Sequence, residues 1–154
     1  MKKLFLLLAM VLTATFAVAD PSRPYDESAN AREQIQSALK SARAGNKMML
    51  VVFGANWCGD CKVLDMEMHQ GALQKLVNER LVVVKVDVGR FNRNTDVAEQ
   101  YSAGLLKKGV PSVVLVKADG TVSYQTTGGE LADARKMGRD GLTQFFAAML
   151  ERAK

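Results

Sequence analysis

No apolar run in this chain reaches the roughly 20 residues that a helix needs to cross a bilayer. The 154 residues hold one histidine and two cysteines. Each scarcity closes a class of function. One histidine and two cysteines cannot complete a four-ligand zinc site without carboxylates or a second chain. The formal charge of +5 is spread along the chain rather than clustered, and a nucleic-acid binder needs a basic face. There is no internal repeat and no low-complexity tract. What is present is a chain with 48% hydrophobic and 24% charged residues, enough for one domain with a real core and no need of disulfide staples.

The N-terminus reads as a targeting segment. Lys2-Lys3 is followed by an apolar stretch to Val18 and by Ala17-Val18-Ala19 before Asp20. That is a charged n-region, an h-region and an A-x-A cleavage site. The expectation is a cleaved secretory signal over residues 1–19, a linker over 20–25 and a domain over 26–154. The product would be periplasmic or secreted after cleavage near Ala19. A membrane anchor is the competing reading, but about 15 apolar residues broken by threonines fall short of a span.

Both cysteines sit in Cys58-Gly59-Asp60-Cys61, after Trp57 and the apolar run 48–53. A passive bridge closing so short a loop constrains little of the unfolded chain. A strand ending at Gly54 that hands over to a helix near Cys58 would instead hold the first sulfur over unpaired amide N–H groups and the positive end of a helix dipole. Such a site favours thiolate over thiol. Cys58 is then the candidate nucleophile and Cys61, one turn inside, the resolving thiol.

Along the chain, periodicity predicts a helix over 26–44 capped by Asp26 or Ser28, a strand over 48–53, and helices over 59–68 and 72–79 separated at Gly71. It then predicts a strand over 81–87, a helix over 95–101 capped by Thr95, and strands over 112–117 and 121–127 joined at Asp119-Gly120. A last helix over 130–153 is interrupted near Gly138–Gly141. The first two strands, joined through helices, should be parallel, and the last two antiparallel.

With this order the chain resembles the thioredoxin family. The resemblance is carried by Phe53-Gly54-Ala55-Asn56-Trp57-Cys58-Gly59-Asp60-Cys61-Lys62, by Val84-Lys85-Val86-Asp87, by Gly109-Val110-Pro111-Ser112, and by Asp119-Gly120 and Gly128. The closest character is that of small exported members and the C-terminal domain of membrane thiol reductases. It implies an α/β thioredoxin fold, a central mixed four-stranded sheet flanked by helices. It also implies a redox-active Cys58–Cys61 disulfide supported by Trp57, Gly59, Asp60, Val110 and Pro111. Pro111 would be cis, opposite the cysteines, leaving the Val110 backbone free to pair with an extended substrate.

Two departures bear on mechanism. Cytosolic thioredoxins carry a buried Asp in the strand before the cysteines, and this chain has Val52 there. The proton of the resolving thiol would then pass to water, to Lys85 with another group, or to Asp60. Asp60 itself should raise the pKa of the neighbouring thiol through its charge, with Lys62 opposing it, which favours a reductant or general interchange catalyst over a strong oxidant. The expected activity is thiol–disulfide exchange on protein disulfides by a monomer without a bound cofactor, recycled by a partner redox protein. An oxidase or isomerase is the alternative within catalysis. A copper-handling protein using Cys58, Cys61 and Met66 or His69 is the alternative outside it. Lys85 and Asp87 are a partly buried pair or strand-end charges. Phe91, Tyr101 and the Arg90/Arg93 loop read as solvated surface.

Overall fold

The computed structural model describes residues 22–153; the expected signal segment and its cleavage site lie outside them. The long apolar run forms strand β1 (Met48–Gly54), the centre of the sheet. Its odd residues Met49, Val51 and Phe53 join one core cluster and its even residues Leu50 and Val52 the other. A strand that must be covered on both faces reads as continuous hydrophobicity rather than alternation. Helix α1 (Ala31–Ala44) buries Ala31, Ala38 and Ala42 against the first face.

Helices α2 (Gly59–Met68) and α3 (Gly71–Arg80) carry the chain across to β2 (Leu81–Asp87), which pairs with β1 in parallel from Met48↔Leu81 to Gly54↔Asp87. The break between the two helices falls at His69-Gln70, and Gly71, expected to be the break itself, is the first residue of α3, with φ +61°. After the short α4 (Thr95–Glu99), β3 (Ser112–Val116) runs antiparallel to β1, and β4 (Val122–Gln125) antiparallel to β3 with an irregularity at Leu115/Val116. The sheet order is β2-β1-β3-β4. Helix α5 (Ala134–Arg152) closes the second face with Leu142, Phe146, Met149 and Leu150, and is kinked at Gly138.

Three helix starts differ from the sequence expectation, two of them because a nearby polar side chain is already engaged. Asp26 accepts the N–H and O–H of Ser28 at 2.8 and 2.7 Å, so neither caps α1. Asn30 does so, accepting the N–H groups of Arg32 and Glu33 at 3.1 and 3.3 Å. Thr95 is the first helical residue rather than the cap; Asn94 precedes it in a left-handed conformation. Glu130 accepts the N–H groups of Thr127 and Gly128, making a turn of its own, and α5 begins four residues later at Ala134.

Candidate active site

Strand β1 delivers the chain to the rim at Gly54, and Cys58 is the N-cap of α2, with extended backbone angles (φ −81°, ψ 113°). Its Sγ accepts the Cys61 N–H at 3.1 Å, the capping bond that a serine oxygen makes elsewhere. The two cysteines are joined as a disulfide with Cα atoms 5.2 Å apart. Cys58 is 5% exposed and Cys61 wholly buried, so an incoming sulfur reaches the first and not the second.

The Val110–Pro111 bond is cis, as the resemblance implied. The Val110 carbonyl lies 3.5 Å from Cys58 Sγ, and Ser112 Oγ holds the turn by donating to the Gly109 carbonyl at 2.9 Å. Trp57 is 49% exposed. Its indole N–H donates to the Gly89 carbonyl at 2.7 Å, and its ring meets Phe91 edge-on with centroids 6.0 Å apart. The loop after β2 is therefore part of the rim rather than a remote solvated insertion. Its shape comes from Asn92, which accepts the Arg90 N–H, and from Asn94, which donates to the Asp87 carbonyl at 2.8 Å. Tyr101 also departs from the surface reading: it is half-buried and stands edge-on to Phe53 at 6.1 Å.

Asp60 is not a free charge beside the thiol. Its Oδ1 accepts the backbone N–H of Arg135 at 3.0 Å and Nε at 3.2 Å, while Oδ2 lies 3.0 Å from Nη2. Burial raises the Asp60 pKa, but the Arg135 hydrogen bonds and charge outweigh it and hold the carboxyl below its usual range. The expected rise in thiol pKa from Asp60 is accordingly offset by the guanidinium, and a carboxylate so engaged is a poor acceptor for the Cys61 proton. A second clamp repeats the first: Arg139 donates to Glu67 at 2.9 Å. The two arginines straddle Gly138, whose φ of +65° turns the start of α5. Gly59, between Cys58 and Asp60, is exposed, and a Cβ there would stand 3.3 Å from Arg135 Nη1.

Lys85 pairs with Asp65 of α2 at 2.6 Å, not with Asp87. Asp87 accepts the Gly89 N–H at 3.0 Å and lies 3.8 Å from Arg93; burial nonetheless raises its pKa. Val52 is wholly buried in the cluster that holds Leu64 and Phe146. The residues of the copper reading do not converge. Met66 is exposed, Met68 is in the core, and the His69 ring at the end of α2 approaches the Asp65 carbonyl at 2.7 Å. Among the described residues no three His, Cys, Asp or Glu side chains gather to hold a metal.

Two contributors carry no signal in the sequence reading, Arg135 and Tyr25, and a third, Asn56, entered it only as part of the motif that carries the resemblance. Asn56, just before Trp57, accepts the Tyr25 N–H at 3.0 Å and donates to the Tyr25 carbonyl at 2.8 Å and to Glu27 Oε1 at 2.8 Å. This side-chain amide fastens the segment before α1 under the redox turn. Tyr25, at the end of the expected linker, is 2% exposed and belongs to the same core cluster as Cys58 and Cys61.

A family model described as thioredoxin-like matches residues 30–118. Thioredoxin H2 of Arabidopsis thaliana is 31% identical over 105 residues, covering 68% of this chain and 70% of that protein. The thioredoxin of Echinococcus granulosus is 39% identical over 64 residues, 42% of this chain and 54% of its own length. Among solved structures, the disulphide isomerase from Xylella fastidiosa Temecula1 is 44% identical and superposes with a TM-score of 0.79, covering 82% of this chain and 96% of that one.

Proposed function

The chain belongs to the thioredoxin-like family, and from that premise we propose that it is an exported protein-disulfide oxidoreductase working through Cys58 and Cys61. The observation that carries the reading is the placement of Cys58 Sγ at the N-cap of α2, accepting the Cys61 N–H while bonded to the Cys61 sulfur. When the pair is reduced, the same N–H and the helix dipole favour negative charge on Cys58.

In the reducing direction the Cys58 thiolate attacks a client disulfide. A Cys58–client S–S bond forms, the client's own S–S bond breaks, and its leaving sulfur takes up a proton. Cys61 then gives its proton to solvent, its electron pair forms the Cys58–Cys61 bond as the Cys58–client bond breaks, and the departing client sulfur takes up a proton. The client leaves with two thiols and the protein is oxidised. A dithiol partner protein restores the pair by the same exchange in reverse. Trp57 and the Val110–Pro111 turn flank the sulfur that the client meets. The Val110 side chain is buried; it is the backbone of that turn that an extended segment would pair with, and Gly59 keeps the approach low. Because Arg135 offsets Asp60, the electrostatics at Cys58 favour neither strong oxidation nor strong reduction, and general interchange is the role that follows.

Export rests on the n-region, h-region and Ala17-Val18-Ala19 of the N-terminus. The mature domain functions as a single chain on protein disulfides.

The test is a pair of traps. Cys61→Ser should accumulate mixed disulfides with client proteins through Cys58, and Cys58→Ser should accumulate none. Trapping through Cys61 alone, or no reduction of a protein disulfide by the unmodified chain, would overturn the reading.

A further inference from the structure

Among the described residues one buried side-chain polar atom lacks a hydrogen-bond partner, the hydroxyl of Tyr25. Buried hydroxyls are ordinarily paired, and a single orphan calls for a physical reason. Its position supplies one. A Cβ built on Gly54 would overlap the Tyr25 hydroxyl oxygen and stand 3.0 Å from Cys61 Sγ. The phenol and the buried sulfur therefore border the same small space, which exists because residue 54 has no side chain.

The phenol is placed there firmly. Asn56 holds the Tyr25 backbone on both sides, and Arg93 donates to the Glu27 carbonyl two residues on. Burial, and after it the charges of Asp65 and Asp87, push the Tyr25 pKa far above its ordinary value, so the hydroxyl remains a donor at any physiological pH. Those two carboxylates are the charged groups facing it. Asp65 is engaged by Lys85, and Asp87 by the Gly89 N–H with Arg93 at 3.8 Å and Glu27 nearby.

We propose that the Tyr25 O–H is the hydrogen-bond donor to the Cys61 sulfur in the reduced pair, a partner that the disulfide form leaves waiting. The inference rests on the redox reading of Cys58 and Cys61 given above. A disulfide sulfur is a feeble acceptor, whereas a thiolate is a strong one and a thiol an intermediate one. Reduction breaks the Cys58–Cys61 bond, with two electrons coming from a thiol reductant that itself becomes a disulfide. Cys61 then carries a proton or a negative charge on a sulfur with no exposed surface. At that moment the orphaned hydroxyl gains its acceptor and the sulfur gains its donor, with no proton leaving Tyr25. Tyr25 thus positions and stabilises the resolving sulfur and does for it what the helix N-terminus does for Cys58.

Tyr25→Phe keeps the ring and removes only the hydroxyl. The full-length protein and this variant are equilibrated with reduced and oxidised glutathione at pH 7. The expected result is an equilibrium moved toward the disulfide by about tenfold, which is a potential about 30 mV more negative. In parallel, the oxidised variant should unfold at the same denaturant concentration as the oxidised parent or a higher one, and the reduced variant at a lower one. A purely packing role would move both forms alike. An equilibrium constant within about twofold of the parent overturns the proposal. Should the variant fail to fold, the unmutated protein labelled with 13Cζ-tyrosine decides. The Tyr25 resonance must move on reduction more than those of Tyr101 and Tyr124, and an unmoved Tyr25 overturns the proposal. A parent protein that does not exchange with glutathione sinks the redox reading itself. A parent that exchanges beside an unshifted variant sinks only the role of Tyr25.

Discussion

The two ends of one disulfide lie in contrasting surroundings. Around Cys58 everything is backbone and rim: the N-terminus of α2, the Val110 carbonyl, and an exposed Trp57 braced by the loop after β2. Around Cys61 everything is sealed: Gly54, the phenol of Tyr25, and an Asn56 clamp that brings the N-terminal segment beneath the turn. A sulfur that must meet many partners is controlled by fixed dipoles that leave its front open. A sulfur that must strike once, from within, is controlled by packing. The contrast predicts that substitutions at the rim change chemistry with little effect on stability, and that substitutions that loosen the packing beneath change stability first.

The hardest test of that division is at the sulfurs themselves. Cys58→Ser should lower the rate of protein-disulfide reduction by on the order of 10³-fold or more, since the chain's other thiol, Cys61, is wholly buried. Cys61→Ser should leave the first attack close to normal and halt turnover at the mixed disulfide. Stopped-flow measurement of a single attack, set beside steady-state turnover, separates the two.

Beneath the turn, Asn56→Ala removes both bonds to the Tyr25 backbone and leaves a buried N–H and C=O unpaired. The expected loss is about 3 kcal/mol of stability for the oxidised protein in urea unfolding. Alkylation of Cys61 in the reduced variant should quicken as the cover loosens. Gly54→Ala is a second route to the same place, because the added methyl would collide with the Tyr25 hydroxyl and crowd Cys61 Sγ. It should cost about 1–3 kcal/mol. If either variant left the stability untouched and impaired only the attack by Cys58, the division between rim and underside would be wrong.

The same division explains what the sequence made legible. The first three strands could be read because each is an apolar run bounded by turn residues, the fourth because Asp119-Gly120 marks a hairpin, and the redox turn because Cys58 and Cys61 are one helical turn apart behind such a run. These are local signals. The N-cap of α1 could not be read, since Asp26, Ser28 and Asn30 are all good caps and only the folded chain shows the first two bonded to each other. Lys85 and Asp87 share a strand face and invited pairing, but the lysine reaches Asp65, 20 residues away on a packed helix. Arg135 lies 75 residues from Asp60, and Tyr25 stands 31 residues from its clamp in a stretch with no periodicity. Charge partners and aromatic packing across such separations are fixed by topology, which no spacing rule reports.

The smallest expected effect concerns the boundary between the two regions, where Asp60 and Arg135 meet. Because the Asp60 pKa is lower folded than its ordinary value near 3.8, its stabilising contribution is complete above that value and is lost as pH falls through the folded one. Asp60→Asn should therefore lower the unfolding midpoint slightly at pH 7 and flatten the acid limb of the stability curve, the two proteins converging as pH falls below about 4. The chemistry at Cys58 should respond in the opposite sense from each partner. Asp60→Asn leaves the guanidinium unopposed and should speed alkylation of reduced Cys58 at pH 7 by about threefold, whereas Arg135→Met leaves the carboxylate unopposed and should slow it by a similar factor. Both shifts should shrink in 1 M salt, where the screening length falls to about 3 Å. Equal rates in all three proteins at low salt would mean that the backbone N–H of Cys61 and the helix dipole alone set the reactivity of Cys58, and the rim would then owe nothing to α5.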